Sequence, residues 1–203
     1  MVLVHGLWMN GYDMLLMQHR FKHAGYSTSR FSYHSVNHSV ISNADKLAEH
    51  LNKINSNKFY LVCHSLGGLV VRHLLARHTF NKIQSVVMLG TPNQTSCAAN
   101  TLRQWPGGGY LLGNSLENGL LGPLPEWDSN IPLGVIAGDF RFGMGLIIPG
   151  IPRPNDGTVS VEETKLEGMQ DHLILHASHF GLLVSKSTFR QTLIFFENGE
   201  FRC

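Results

Sequence analysis

The sequence predicts an α/β fold, a mostly parallel sheet of about six strands with helices on both faces. Three observations predict it. Short apolar runs alternate with segments of helical periodicity along most of the chain. The apolar runs are continuous, as strands buried on both faces require. Several of them end in glycine or a turn-forming pair, for example Gly90-Thr91-Pro92 and Gly138-Asp139.

The elements follow in order. Met1 to Val4 is a short apolar strand that runs at once into His5-Gly6-Leu7-Trp8. Tyr12 to Ala24 has helical spacing through Leu15, Leu16, His19 and His23, and Gly25 stops it. Ser27 to Tyr33 alternates and reads as a strand. Ile41 to Ile54 is helical: Ile41, Ala44, Leu47, Ala48, Leu51 and Ile54 share one face, and Asn43, Asp45, Lys46, Glu49 and Asn52 are left to water. Lys58 to Cys63 is the third strand and Leu66 to His78 the helix after it. Further strands are expected over Gln84 to Leu89, Pro132 to Ala137 and His172 to His176, and a closing helix over Thr188 to Phe196. Between Asn93 and Asn130 the periodicity breaks, with glycine and proline crowded into residues 107–125. A long insertion of this kind is usually functional, and Trp105, Tyr110, Leu111, Leu112, Leu116, Leu120, Leu121 and Trp127 favour a partly apolar cover.

Length and composition bound the function. The 203 residues suit a single domain, 1–203, with a sizeable core. A net charge of +2 offers no field for nucleic acid or an anionic membrane. Twelve histidines, most of them expected to be solvated at the surface, will raise that charge as pH falls through about 6.5. Cys63, Cys97 and Cys203 lack ligand-like spacing, so neither a disulfide framework nor a zinc cluster is expected, with a Cys97–Cys203 bridge left open. The first residues lack the basic start of a secretory signal. The apolar stretch from Leu133 to Pro152 carries Asp139, Arg141 and two prolines, so no integral membrane span is expected. The expectation is a cytoplasmic protein; the oligomeric state is not encoded legibly.

The stretch that carries chemistry is Cys63-His64-Ser65-Leu66-Gly67-Gly68, between the apolar run Phe59-Tyr60-Leu61-Val62 and the helical run from Leu69 to Leu75. Strand, sharp turn and helix put a serine at an exposed tip, where a base can reach its hydroxyl. A serine nucleophile needs that base, and the base needs an orienting acid. Asp139 and Asp156 are the candidate acids; His172, His176 and His179 are the candidate bases.

On these residues the chain resembles the α/β-hydrolase superfamily, in its lipase and esterase branch. The family pattern is Gly-x-Ser-x-Gly; here Cys63 replaces the first glycine and Gly67 matches the second. The resemblance implies the chain order Ser, acid, His. It favours Asp156, in Asp156-Gly157-Thr158-Val159, over Asp139, and His179, on the loop into the last helix, over His176. His172 and His176 are then expected at strand edges facing solvent. The resemblance also implies an oxyanion hole from the backbone N–H of Leu66 and of the residue after His5-Gly6, which is Leu7, with Trp8 as the alternative. The side chains of His5 and His64 are expected to hold loops. Larger members carry strands before the one that feeds the oxyanion loop, so a minimal sheet is expected here, with no cap beyond 93–130.

The implied function is cleavage of carboxylic, acyl esters through Ser65, His179 and Asp156 and an acyl-enzyme, with no metal or organic cofactor. The substrate class is a small-molecule or lipid-like acyl ester. A thioesterase or acyltransferase would use the same triad, and a silent hydrolase fold acting as a binding module would have lost a member of it.

Overall fold

A computed structural model describes residues 1–143 and 146–202. Its centre is a six-stranded sheet of β1 (Val2–Val4), β2 (Ser29–Phe31), β3 (Phe59–His64), β4 (Ile83–Leu89), β5 (Leu133–Gly138) and β6 (Asp171–Leu175), in the order β2-β1-β3-β4-β5-β6. Every pairing is parallel, so all C-terminal strand ends lie along one edge. The order reverses beside β1 and β3, and ligands of open parallel sheets bind at such a reversal, beyond the carboxyl ends.

Alternate residues of the strands feed two cores. Val2, Val4, Leu61 and Cys63 pack on one face against α2 (Val40–Lys53) and α3 (Leu66–Arg77). Leu3, Val62 and Val87 pack on the other against α1 (Leu15–His23) and α8 (Lys186–Asn198). Full burial of each such Leu or Val is worth about 1.5–3 kcal/mol. On α2, Ala44, Leu47, Ala48 and Leu51 are buried as expected, and Ser39 caps the helix by accepting from the Ser42 N–H. Asn43, expected toward water, is instead fully buried, because its Nδ2 donates to His34 O and His38 O, both at 3.3 Å.

The α1 face is not the expected one. The sequence pattern puts Leu15 and Leu16 inward, but both are exposed, and Met14, Met17 and Phe21 are fully buried. Phe21 sets the phase: its ring lies 5.0 Å from that of Phe189 on α8. The first turn, Tyr12–Met14, is 3-10 rather than α.

The 93–130 insertion carries more order than its composition predicts. It contains α4 (Cys97–Arg103), capped by Ser96, and α5 (Gly108–Leu112), followed by a kinked segment over Leu116–Leu120. Two further short helices, α6 (Val161–Thr164) and α7 (Gly181–Val184), are also absent from the periodicity reading. α6 is fixed by a reciprocal cap, with Ser160 Oγ accepting from Glu163 N–H and the Glu163 carboxylate accepting from Ser160 N–H. Among the described residues no helix is long and apolar enough to cross a membrane. Cys63 and Cys97 are free thiols; Cys203, and with it the open bridge, lies outside the described residues.

Candidate active site

Ser65 stands between β3 and α3 with φ 51° and ψ −123°, a conformation that costs a non-glycine residue about 1–3 kcal/mol. Its backbone is held from three sides. The Ser65 N–H donates to Leu89 O at 2.9 Å, and Ser65 O accepts from Gly68 N–H and from Thr91 Oγ1, both at 3.0 Å. The glycines around it are required by close approach. A Cβ at Gly67 would lie 2.6 Å from the carbonyl oxygens of Val4 and His5, at the end of β1. One at Gly6 would lie 3.0 Å from Ser65 Cβ, and one at Gly68 would collide with the Thr91 side chain. Cys63 is tolerated in place of the first glycine because its side chain points into the α2/α3 core. Burial there pushes its thiol far up, so Cys63 is an inert apolar residue.

Asp156 and His179 come from the loops after β5 and β6. His179 Nδ1 is 2.7 Å from Asp156 Oδ2, and Asp156 is fully buried. The other carboxylate oxygen accepts from Thr158 N–H at 2.9 Å and Val159 N–H at 2.7 Å. With both oxygens acceptors, the imidazole proton belongs on Nδ1, which leaves Nε2 as the ring's acceptor. The backbones also join, through His179 N–H to Asp156 O at 2.8 Å. Gly90, with φ 57°, lies beneath the pair: a Cβ there would be 3.0 Å from both Asp156 Oδ2 and His179 Nδ1. A Cβ at Gly138 would be 2.8 Å from that of Asp156.

The alternative pair is also formed, elsewhere. His176 Nδ1 donates to Asp139 Oδ1 at 2.9 Å, but the His176 side chain is 78% exposed and the pair lines no cavity with Ser65. His172 departs from the solvent-facing expectation. It is half-buried, its Nε2 is 2.9 Å from Thr164 Oγ1, and desolvation lowers its pKa.

Ser65 and His179 share a cavity of about 280 Å³ with no hydrogen bond between them. Serine–base contacts of this kind often tighten only with substrate in place. Leu7 lines the same cavity, and Leu66 follows Ser65 directly in the chain. The N–H groups of Leu7 and Leu66 have no partner among the described residues, and Leu66 opens α3, where the helix dipole is positive. The Trp8 N–H is already taken, donating to Ser35 Oγ at 3.0 Å, which separates Leu7 from its alternative.

His5 and His64 hold loops, as expected. His5 Nε2 accepts from Tyr33 N–H at 3.1 Å, its Nδ1 donates to Gly6 O at 2.8 Å, and its ring stacks on Tyr33 at 4.2 Å. His64 is fully buried, and burial drives its pKa well below the usual imidazole value. Its Nε2 donates to the backbone oxygen of His179 at 3.0 Å, and its Nδ1 has no partner. Thus the residue beside Ser65 is tied to the loop that carries His179.

Sequence reasoning missed Gly90 and Arg72. Arg72, on α3, is buried, has no carboxylate partner among the described residues, and is pulled down to about 10 by desolvation. It donates to Asn93 O at 2.7 Å and through Nε to Pro125 O at 2.9 Å. With His73 Nε2 to Asn118 O at 2.7 Å, it pins the insertion to α3. No run or spacing marks such a residue. Among the described residues no group of three or more His, Cys, Asp or Glu side chains could hold a metal ion.

Residues 1–105, which include β1, the elbow at Ser65 and α4, match the family model described as Domain of unknown function (DUF7379). The chain belongs to this family. No curated protein matches the sequence. Solved structures do match its fold. The mature lipase BlEst2 of Bacillus licheniformis has a TM-score of 0.78 at 20% identity, over 96% of this chain and 90% of that one. The esterase RhEst1 of Rhodococcus sp. ECU1013 has 0.65 at 16%, over 97% and 90%. The methylesterase MES16 of Arabidopsis has 0.60 at 15%, over 97% and 96%. At such identities the likeness is one of fold, and the fold is that of the α/β-hydrolases.

Proposed function

We propose that the protein is a serine hydrolase of acyl esters, with Ser65 as nucleophile, His179 as base, Asp156 as the acid that orients it, and the Leu7 and Leu66 N–H groups as oxyanion donors. The observation that carries this reading is the bond from buried Asp156 to His179, whose side chain lines the same cavity as the strained serine and Leu7, with the unpartnered Leu66 N–H on the residue after that serine. The esterases and lipases that share the fold support it.

The Ser65 Oγ attacks the carbonyl carbon as His179 Nε2 takes its proton, and the carbonyl π electrons move to the oxygen between Leu7 and Leu66. Asp156 holds the imidazole in the required tautomer and stabilises its charged form. The tetrahedral intermediate collapses, the bond to the alcohol oxygen breaks, and His179 returns the proton to that oxygen. Water attacks the acyl-Ser65 by the same steps, releasing the acid and the free serine. No step calls on a metal or an organic cofactor.

Hydrolysis of p-nitrophenyl esters by the wild type and Ser65→Ala tests this. The expected result is turnover by the wild type, covalent labelling at Ser65 by a fluorophosphonate, and neither in the variant. Turnover undiminished in Ser65→Ala, or a wild type that turns over esters without being labelled at Ser65, would sink the proposal.

A further inference from the structure

One buried carboxylate outside the triad is bonded to two parts of the site at once. Glu163, the third residue of α6, is 5% exposed. Its Oε2 accepts from Ser160 N–H at 2.6 Å, as part of the reciprocal cap of α6, and its Oε1 accepts from Cys97 N–H at 2.7 Å. Cys97 is the first residue of α4, and the next two, Ala98 and Ala99, line the cavity with Ser65 and His179. Backbone bonds run beside this bridge: Gln94 N–H donates to Glu163 O at 3.2 Å, and Asn93 Nδ2 donates to Thr164 O at 2.8 Å. On the other side, the cap is the foot of the turn that carries Asp156. Asn155 and Ser160 form an antiparallel bridge, Val161 N–H donates to Pro154 O at 2.9 Å, and Asp156 N–H donates to Val159 O at 3.1 Å. The chain from 154 to 161 thus closes on itself, with Asp156 inside the turn and Glu163 at its base.

A carboxylate is the side chain this position calls for. Two backbone N–H donors converge on it, and an acceptor with two oxygens serves both. Hydrogen bonds to an ionised acceptor are also roughly twice as strong as neutral ones. A glutamine here has one carbonyl oxygen, and its NH2 would meet the second N–H donor against donor. Resting on the hydrolase reading above, we propose that Glu163 is a positioning residue of the site, which sets the Asp156 carboxylate against His179 Nδ1 by bracing the 154–161 turn on α4. Glu163 is not among the residues that line the cavity, so its effect passes through Ser160 and the turn. The turn delivers it to Asp156, whose Oδ1 is held by the N–H groups of Thr158 and Val159. A displacement of about 1 Å in a group of this kind lowers a rate by as much as about a hundredfold. Because the same carboxylate holds the first residue of α4, a wall of the cavity and the acid of the triad keep one spacing.

The test compares Glu163→Gln with Glu162→Gln, which removes the neighbouring, exposed carboxylate and its pair with Lys165. One readout is the proton NMR signal of the hydrogen between His179 Nδ1 and Asp156 Oδ2, identified by its loss in His179→Gln; it reports the bond without any turnover. The other is the kinetics on p-nitrophenyl butyrate. Glu163→Gln should shift or broaden that signal and lower kcat about tenfold or more, with a smaller change in KM, while the far-ultraviolet circular dichroism stays that of the wild type. Glu162→Gln should change neither readout. Glu163→Asp keeps the charge but shortens the reach by one methylene. It should lose in the same direction, and it carries the test alone if Glu163→Gln does not fold. A signal and a kcat that stay in place in the folded Glu163 variant, a loss confined to KM, or an equal loss in Glu162→Gln overturns the assignment while the Ser65-dependent hydrolase stands. Absence of Ser65-dependent turnover of any ester overturns both.

Discussion

His64 shows how much one side chain can do through the neighbour it holds. Its ring centroid lies 4.6 Å from that of His179, and its Nε2–H fixes the His179 carbonyl. Its Nδ1 is a buried acceptor left unpaired, which costs stability. The two effects separate by substitution. His64→Leu removes the orphan acceptor but also leaves the His179 carbonyl without its donor, so the two stability effects oppose and the melting temperature should change little, while kcat falls about tenfold or more with little change in KM. His64→Gln places a donor at similar reach and should recover most of the rate. Equal loss in both variants, or a loss confined to KM, would reduce His64 to a packing residue. At this scale the sequence was legible where local pattern carries the signal. Ser65 follows from strand, turn and helix. Asp156 and His179 were favoured over Asp139 and His176 only by segments of the resembled family, Asp156-Gly157-Thr158-Val159 and the loop into the last helix, since both pairs follow Ser65 in the same order. Gly90 was illegible, because its need for a missing side chain arises from loops after β5 and β6, far along the chain.

The insertion illustrates the element scale. α4 has seven residues and α5 five, too short for a period to emerge from glycine-rich flanks. They are ordered by tertiary anchors, chiefly Arg72. Arg72→Met removes the donors to Asn93 O and Pro125 O while keeping an apolar stem. Each carbonyl left without a partner costs about 1–3 kcal/mol if it stays buried. The expected outcome is faster amide hydrogen exchange over 93–125 and a lower urea midpoint, with the central strands still protected. Unchanged exchange in the insertion would show that its apolar residues alone hold it. The misphased α1 has the same origin: Leu15, Leu16, His19 and His23 satisfy helical spacing, but the contact with α8 selects the Met17 and Phe21 face.

At the scale of the whole molecule, strand number, parallel pairing and the two covered faces were all legible, because continuous apolar runs between helices allow few other arrangements. The burial of the histidines was not. Their abundance suggested solvated residues, yet His5 and His64 are fully buried with pKa values lowered by desolvation. The sign of the consequence follows from the unfolded chain, where each binds a proton near pH 6.5. Below that value the unfolded state holds more protons than the folded one, so stability is full above about pH 6.5 and is lost as pH falls beneath it. Each such histidine removes up to about 1.4 kcal/mol per pH unit until its folded value is reached. Urea midpoints should therefore drop between about pH 6.5 and about pH 5 and level off above about pH 7, and His5→Gln should flatten part of the slope. A midpoint independent of pH over that range would contradict the burial of these rings as neutral groups.

The hydrogen bond from the Trp8 indole to Leu111 O has a use beyond architecture. Trp8 has φ 58°, lines the cavity, and is about half exposed, whereas Trp127 is buried and Trp105 lies outside the cavity lining. The protein thus carries its own fluorophore at the rim of the chamber. An apolar ligand entering the cavity beside Trp8 would dry that indole and move its emission to shorter wavelength. Stopped-flow mixing with octanoate would time the event without a dye, and Trp8→Phe would extinguish the signal while Trp105→Phe would not.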